Sequence, residues 1–303
     1  MLCSVLGKLL NVPAMLRYLR SHRADRSVWD PADDLELALY GSIFGNNFLH
    51  YGYFKNPAIA AEAISFADLK IAMDDYASLL VQRVHPGERV LDIGCGMGGL
   101  LARLHAVGAR PTGLTPNRAQ AQHIAANWPE IEVLQSTLEG LSAGQSAHLA
   151  ARFDVVVNAE SFQYIELEAG MRSVTQFLDR GATSPRWLCI DYFQITSAAK
   201  NKSGHLLADF EAALQRHGLS IVERLDVTEN VLPSLDFGRL LANRFALPVA
   251  RFAADRFFLR RPLLGYLLHD QARAKLDGIR LDTLSPEVFR REKRYLLFTL
   301  TPR

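Results

Sequence analysis

The stretch richest in chemistry is Val90-Leu91-Asp92-Ile93-Gly94-Cys95-Gly96-Met97-Gly98-Gly99. A short apolar run ends in glycines, and a helical pattern follows. Glycine at such a turn lets a ligand approach the backbone closely. The helix start behind it offers free N–H groups and a partial positive charge. Two ligand classes compete for the turn. Gly94, Gly96 and Gly99 satisfy the G-x-G-x-x-G spacing of a dinucleotide site. Asp92 argues the other way, because a carboxylate there receives an ammonium group and repels a pyrophosphate. The next strand ends Gly113-Leu114-Thr115-Pro116, without the acid that a nicotinamide dinucleotide wants at its ribose.

Groups able to move protons lie elsewhere. Glu160 follows the apolar run 153–157 by three residues and can serve as a base or stabilise a cation. Its other role is to cap the helix behind it. Asp191 follows the next apolar run and is expected to satisfy its own loop. His50 adjoins an aromatic loop and is usable as a base near neutral pH. Tyr51 and Tyr53 follow it. His105, His123 and His217 fall on helical patterns and read as surface or packing residues. Cys95 sits in the glycine turn, but no base partner is identifiable, so a cysteine nucleophile is rejected.

Seven short apolar runs position these groups: Arg89–Ile93, Arg110–Leu114, Ile131–Leu134, Phe153–Val157, Trp187–Ile190, Leu219–Val227 and Arg294–Leu300. Helical spacing appears at 66–84, 100–107, 118–128, 171–178 and 206–217. Strands alternating with helices predict a doubly wound α/β sheet, and continuous apolar runs fit strands covered on both faces. Residues 1–65 read as mostly helical with loops, with a helix start near Asp30-Pro31-Asp33 and an amphipathic helix over 1–10.

The chain has 303 residues, 49% hydrophobic and 22% charged, with net charge +2. That composition excludes low-complexity disorder and gives no global argument for nucleic acid. Cys3, Cys95 and Cys189 lie far apart, with no disulfide or zinc pattern, so a reducing, cytoplasmic setting and no metal are expected. No apolar run reaches the roughly 20 residues of a membrane span.

Residues 90–99 resemble the first motif of class I S-adenosylmethionine-dependent methyltransferases. Gly113-Leu114-Thr115-Pro116-Asn117-Arg118-Ala119-Gln120 and His50-Tyr51-Gly52-Tyr53-Phe54 resemble segments of the cyclopropane synthase, sterol and tocopherol methyltransferase and natural-product group. The resemblance spans about residues 45–230. It implies a Rossmann-like methyltransferase sheet and S-adenosyl-L-methionine as cofactor. Asp92, Gly94, Cys95 and Gly96 would hold the methionine portion, and Thr115 and Gln120 the ribose hydroxyls. Leu138 and Glu139 would meet the adenine. Tyr53 and Tyr51 would approach the sulfonium, to which an aromatic face is attractive. Glu160, His50 and Tyr53 are the candidates for catalysis. Cyclopropane synthases carry Glu-His where this chain has Gln163-Tyr164, which counts against cyclopropane formation.

The expected organisation is a helical N-terminal lid over 1–65, a cofactor-binding core over 66–230, a helical substrate cap over 231–292, and a last core strand over 293–303. Residues 251–294 carry 11 basic and 6 acidic side chains. This basic, amphipathic region is read as a lid, as a peripheral membrane or partner contact, or as a solvated helix face. In the resembling group such additions build the substrate pocket. The expectation is therefore methyl transfer to a hydrophobic small molecule: an isoprenoid, polyketide, lipid-like or aromatic metabolite. The alternatives are an NAD(P)-linked oxidoreductase and a non-catalytic cofactor-binding protein.

Overall fold

The computed structural model describes Pro13 and residues 46–303, apart from 200, 280 and 282–284. The expected helices over 1–10 and from Asp30, and most of the lid over 1–65, lie outside the described residues. What is described is a seven-stranded sheet: β1 (Arg89–Ile93), β2 (Arg110–Thr115), β3 (Glu132–Gln135), β4 (Val155–Ala159), β5 (Arg186–Gln194), β6 (Leu219–Asp226) and β7 (Lys293–Pro302). Its order is β3-β2-β1-β4-β5-β7-β6. The strands from β3 to β5 run parallel, and β7 is antiparallel to both β5 and β6.

The helices are α1 (Phe66–Val81), α2 (Gly99–Ala106), α3 (Arg118–Asn127), α4 (Ala143–Leu149), α5 (Leu167–Phe177), α6 (Leu207–Arg216), α7 (Thr228–Leu241), α8 (Leu247–Leu259), α9 (Pro262–Asp277) and α10 (Pro286–Glu292). Local sequence sets their starts. Ser65 and Asp68 form a reciprocal capping box on α1, and Ser142 and Gln145 form another on α4. Asn117 caps α3 through the N–H groups of Ala119 and Gln120.

The central strands are apolar because both faces are covered. Leu91, Val156, Cys189, Leu296 and Phe298 face one core with Met171, Phe177 and Phe210. Val90, Val155, Val157, Leu188 and Ile190 face the other with Met73, Leu80 and Leu104. Ion pairs close the strand starts: Arg186 with Glu88 at 2.6 Å and Arg89 with Asp154 at 2.7 Å. The opposite end is therefore free for a ligand. The strand order reverses between β1 and β4, where open α/β sheets bind their ligands.

Two additions reach that end. Residues 46–54 form a strap tied down on both sides. Gly99 N–H donates to Asn47 O (3.1 Å), and Asn47 Oδ1 meets His123 Nε2 (2.8 Å). Beyond the cleft, Tyr53 N–H donates to Ala72 O (2.7 Å), and Phe54 N–H donates to Asn230 O (2.9 Å). Gly52 is required there, since a Cβ would lie 2.6 Å from that of Ala72. The second addition begins with α7. Its Val231, Leu232 and Leu235 are core residues. A π-helical turn, Ala242–Ala246, continues it into α8, and α8 and α9 pack on each other. No residue of α8 is buried, and Phe252 and Leu259 are well exposed.

Candidate functional site

A cleft of about 270 Å³ opens at the carboxyl ends of β1, β2 and β4. Asp92 forms part of its floor. β1 places it beside Gly113 of β2 and Val157 of β4. It is only 2% exposed, and Oδ1 has no hydrogen-bond partner. Burial pushes its carboxyl up to about 7. A buried carboxylate without a partner is costly, so this one is poised for a cationic or N–H-donating ligand.

The glycine turn follows. Gly94 and Gly96 have φ of 84° and 55°, a region glycine enters freely. At Gly94 there is also no space: a Cβ would lie 2.4 Å from that of Ser161. Ser161 is held in turn, since Asn158 Nδ2 donates to its Oγ (2.9 Å) and Trp187 Nε1 donates to Asn158 Oδ1 (2.9 Å). Cys95 lines the cleft, and burial pushes its thiol well up, as a non-nucleophile requires. Across the cleft, Thr115 Oγ1 donates to Gln120 Oε1 (2.7 Å). Both are buried side chains that line the cleft.

The far wall carries the titratable groups. Glu160 adopts φ 53°, an unfavourable region for a residue with a Cβ. Its N–H is fixed on Ile190 O (2.9 Å). Oε1 accepts from Tyr51 N–H (2.8 Å) and from the Tyr295 hydroxyl. Tyr295 in turn bonds the Tyr76 hydroxyl (2.9 Å). Among the described residues Oε2 has no hydrogen-bond partner. Burial raises the Glu160 carboxyl to about 8, against the opposing pull of the two donors. His50 Nδ1–H donates to Tyr51 O (2.8 Å), and the ring stacks on Tyr76 at 4.0 Å. Its Nε2 is buried without a partner, and burial lowers the imidazole to about 4, so it is neutral at physiological pH. One wall thus holds a neutral imidazole acceptor and a carboxyl that ionises just above neutral pH.

The cleft brings together Asp92, Gly94, Cys95, Gly96, Thr115, Gln120, His50 and Glu160. It does not bring in four other residues. Tyr53 packs against the core beside α1, because its N–H is bonded to Ala72. Tyr51 supports Glu160 through its backbone, while its ring lines a second cavity. Leu138 is buried in the core, and Glu139 is exposed at the turn after β3. Asp191 accepts N–H groups of Gln163 (3.0 Å) and Tyr192 (2.8 Å), the loop role expected of it. Tyr76 and Tyr295 were missed. Their spacing marks them only as core positions on α1 and β7, and the sequence has no local signal that they meet. Asn47, Ser161 and Tyr164 also line the cleft, the last 79% exposed.

Residues 90–181 match a family described as a methyltransferase domain. Among curated proteins, the ubiquinone biosynthesis O-methyltransferase of Actinobacillus pleuropneumoniae serotype 5b (strain L20) is 32% identical over 83 residues, 26% of this chain and 36% of that protein. The chain thus spans about a third of the length of the curated relatives it matches. Among solved structures, geranyl diphosphate C-methyltransferase from Streptomyces coelicolor A3(2) superposes with a TM-score of 0.61 at 17% identity, covering 88% of this chain and 92% of that one. A cyclopropane synthase from Mycobacterium tuberculosis gives 0.58 at 15%, covering 84% and 90%. These structures share one fold, and the chain has it: a Rossmann-like methyltransferase sheet with flanking helices. No helix among the described residues is long and apolar enough to cross a membrane.

Proposed function

We propose that this chain transfers the methyl group of S-adenosyl-L-methionine to a hydrophobic small-molecule acceptor. Asp92 carries the reading. A buried carboxyl with an orphaned oxygen, beside a glycine turn, fits the amino group of an amino-acid portion and disfavours a diphosphate. Thr115 and Gln120 fit neighbouring sugar hydroxyls. The matched domain over 90–181 and the fold of the structural relatives support the same reading.

When bound, the cofactor supplies an electrophilic methyl on a sulfonium, and transfer is an in-line displacement. This chain's own residues then have three tasks. Asp92, the glycine turn and the Thr115–Gln120 pair hold one partner still, which supplies much of the rate. Phe48, Leu49, Leu100 and Tyr164 give the cleft an apolar lining that suits the acceptor and excludes water. Glu160 takes the acceptor's proton on Oε2 while Oε1 stays anchored. A carboxyl near 8 is a stronger base than a solvated one, yet ionises close to neutral pH. His50 Nε2 is a second acceptor that stays neutral.

Calorimetry tests the cofactor directly. Micromolar binding of S-adenosylhomocysteine and none of NADH is expected, and the reverse pattern would establish the oxidoreductase alternative. With a turned-over acceptor, Glu160→Gln should lower kcat at least tenfold while cofactor affinity holds. Equal turnover would remove Glu160 from the chemistry.

A further inference from the structure

A second cavity, of about 80 Å³, lies behind Tyr51 and is lined by Tyr51, Tyr192, Asn201, Ser203, Glu292 and Lys293, with Leu235, Val288 and Phe289 as its apolar side. Lys293 is only 5% exposed. Its Nζ donates to Ser203 O (3.0 Å) and Oγ (2.7 Å), and lies 4.3 Å from the centre of the Tyr192 ring. These partners are all neutral. Glu292 is paired with Arg291 at 2.7 Å, and Asp191 is engaged by backbone N–H groups. Among the described residues no carboxylate lies within ion-pair distance of Lys293. A buried ammonium whose direct partners are all neutral is a costly arrangement, and here it borders a cavity.

Its position relates it to the cleft. Lys293 and Tyr295 are two residues apart on β7, so both side chains leave the same face, about 7 Å apart along the strand. Tyr295 holds Glu160, Tyr51 donates to the same Glu160 oxygen, and the Tyr51 ring packs edge-on against Tyr295 at 6.0 Å. Tyr51 and Tyr295 thus border both the proton acceptor and the second cavity's side of β7.

We infer that this cavity is an anion subsite, in which Lys293, with Ser203, binds a carboxylate or phosphate group of the acceptor about 7 to 10 Å from the atom that receives the methyl. The inference rests on the proposed methyl transfer and narrows its acceptor to hydrophobic molecules with an acidic end. Burial lowers Lys293 to about 8, with Glu292 and Asp191 opposing that shift. The ammonium is therefore mostly charged at pH 7. Tyr192, which also faces it, is raised to about 12 and stays neutral.

The test is calorimetry of octanoate, octyl phosphate and octanamide on protein saturated with S-adenosylhomocysteine. At least one of the two anions should bind tenfold or more tightly than the amide, and their order identifies which acid the site takes. Affinity for the preferred anion should fall at least fivefold between pH 7 and 9.5. Lys293→Met should abolish the preference and leave affinity for S-adenosylhomocysteine within twofold. Should that variant not fold, the comparison of anions with amide on the unaltered protein decides alone. Equal binding of anions and amide, or none, overturns the subsite whatever the cofactor does. An anion preference without any binding of S-adenosylhomocysteine would keep the subsite and overturn the methyl-transfer reading.

Discussion

Asp92→Asn should make the ligand-free protein more stable in alkali and a poorer binder of its cofactor. The unaltered Asp92 carboxyl sits at about 7 instead of the ordinary 3.8, because burial disfavours its charge. Its folded pKa lies above its unfolded one, so protonation stabilises the fold. The stabilising effect is complete below about pH 4 and is lost as pH rises through 7. At about 1.4 kcal/mol per pKa unit, a carboxyl moved from 3.8 to about 7 costs about 4 kcal/mol once fully ionised. Asn removes that charge with little change of shape. The variant's stability relative to the parent should therefore rise by about 4 kcal/mol from pH 4 to pH 8, about 2–3 kcal/mol of it by pH 6, read as the difference between their urea midpoints. Comparing the two proteins cancels Glu160 and Asp191, which are raised to about 8 and about 7 and titrate in the same window. Affinity for S-adenosylhomocysteine should fall by about 1–3 kcal/mol, the loss of a charged hydrogen-bond partner. A pH-independent stability difference would refute the buried-charge argument. Unchanged affinity would refute the placement of the amino group at Asp92.

Three further outcomes follow from the geometry. Tyr295→Phe removes a donor to the ionised form of Glu160, so the limb of the pH–rate profile that rises with pH should move to higher pH while cofactor affinity holds. A fall in turnover without that displacement would show that Tyr295 acts otherwise. Gly94→Ala forces a side chain into a left-handed turn and against Ser161, and should cost at least about 2 kcal/mol in urea unfolding. A cost below about 0.5 kcal/mol would mean the turn is not as tight. Ala151 has φ 49° on an exposed turn, so Ala151→Gly should raise stability by about 0.5–1 kcal/mol, visible as a higher melting temperature. A lower one would contradict the strain.

The sheet was legible because its strands are covered on both faces and so appear as uninterrupted apolar runs. Asp92 and its glycines were legible because one turn of chain contains both the acid and the residues that need unusual backbone angles. The antiparallel placement of β7 between β5 and β6 was not, since an apolar run of either direction has the same composition. α4 was passed over although Ser142 and Gln145 spell its capping box. The support of Glu160 could not be read locally, since Tyr51 and Tyr295 lie 109 and 135 residues from it. The helix-capping alternative for Glu160 fails for a nearby reason: Glu166 caps α5 through the N–H groups of Glu168 and Ala169. Tyr53 lies outside the cleft because its N–H is tied to Ala72 O of α1, a contact 19 residues away that no local pattern announces.

The strap over 46–54 has a consequence for the protein's motions. It is tied to α2 and α3 at one end and to α1 and α7 at the other, so it cannot lift as an ordinary surface loop does. Opening it requires α1 and α7 to part, which is a sub-global event. The amide protons of Tyr53 and Phe54 should therefore exchange with solvent as slowly as those of α7 itself, and together with them.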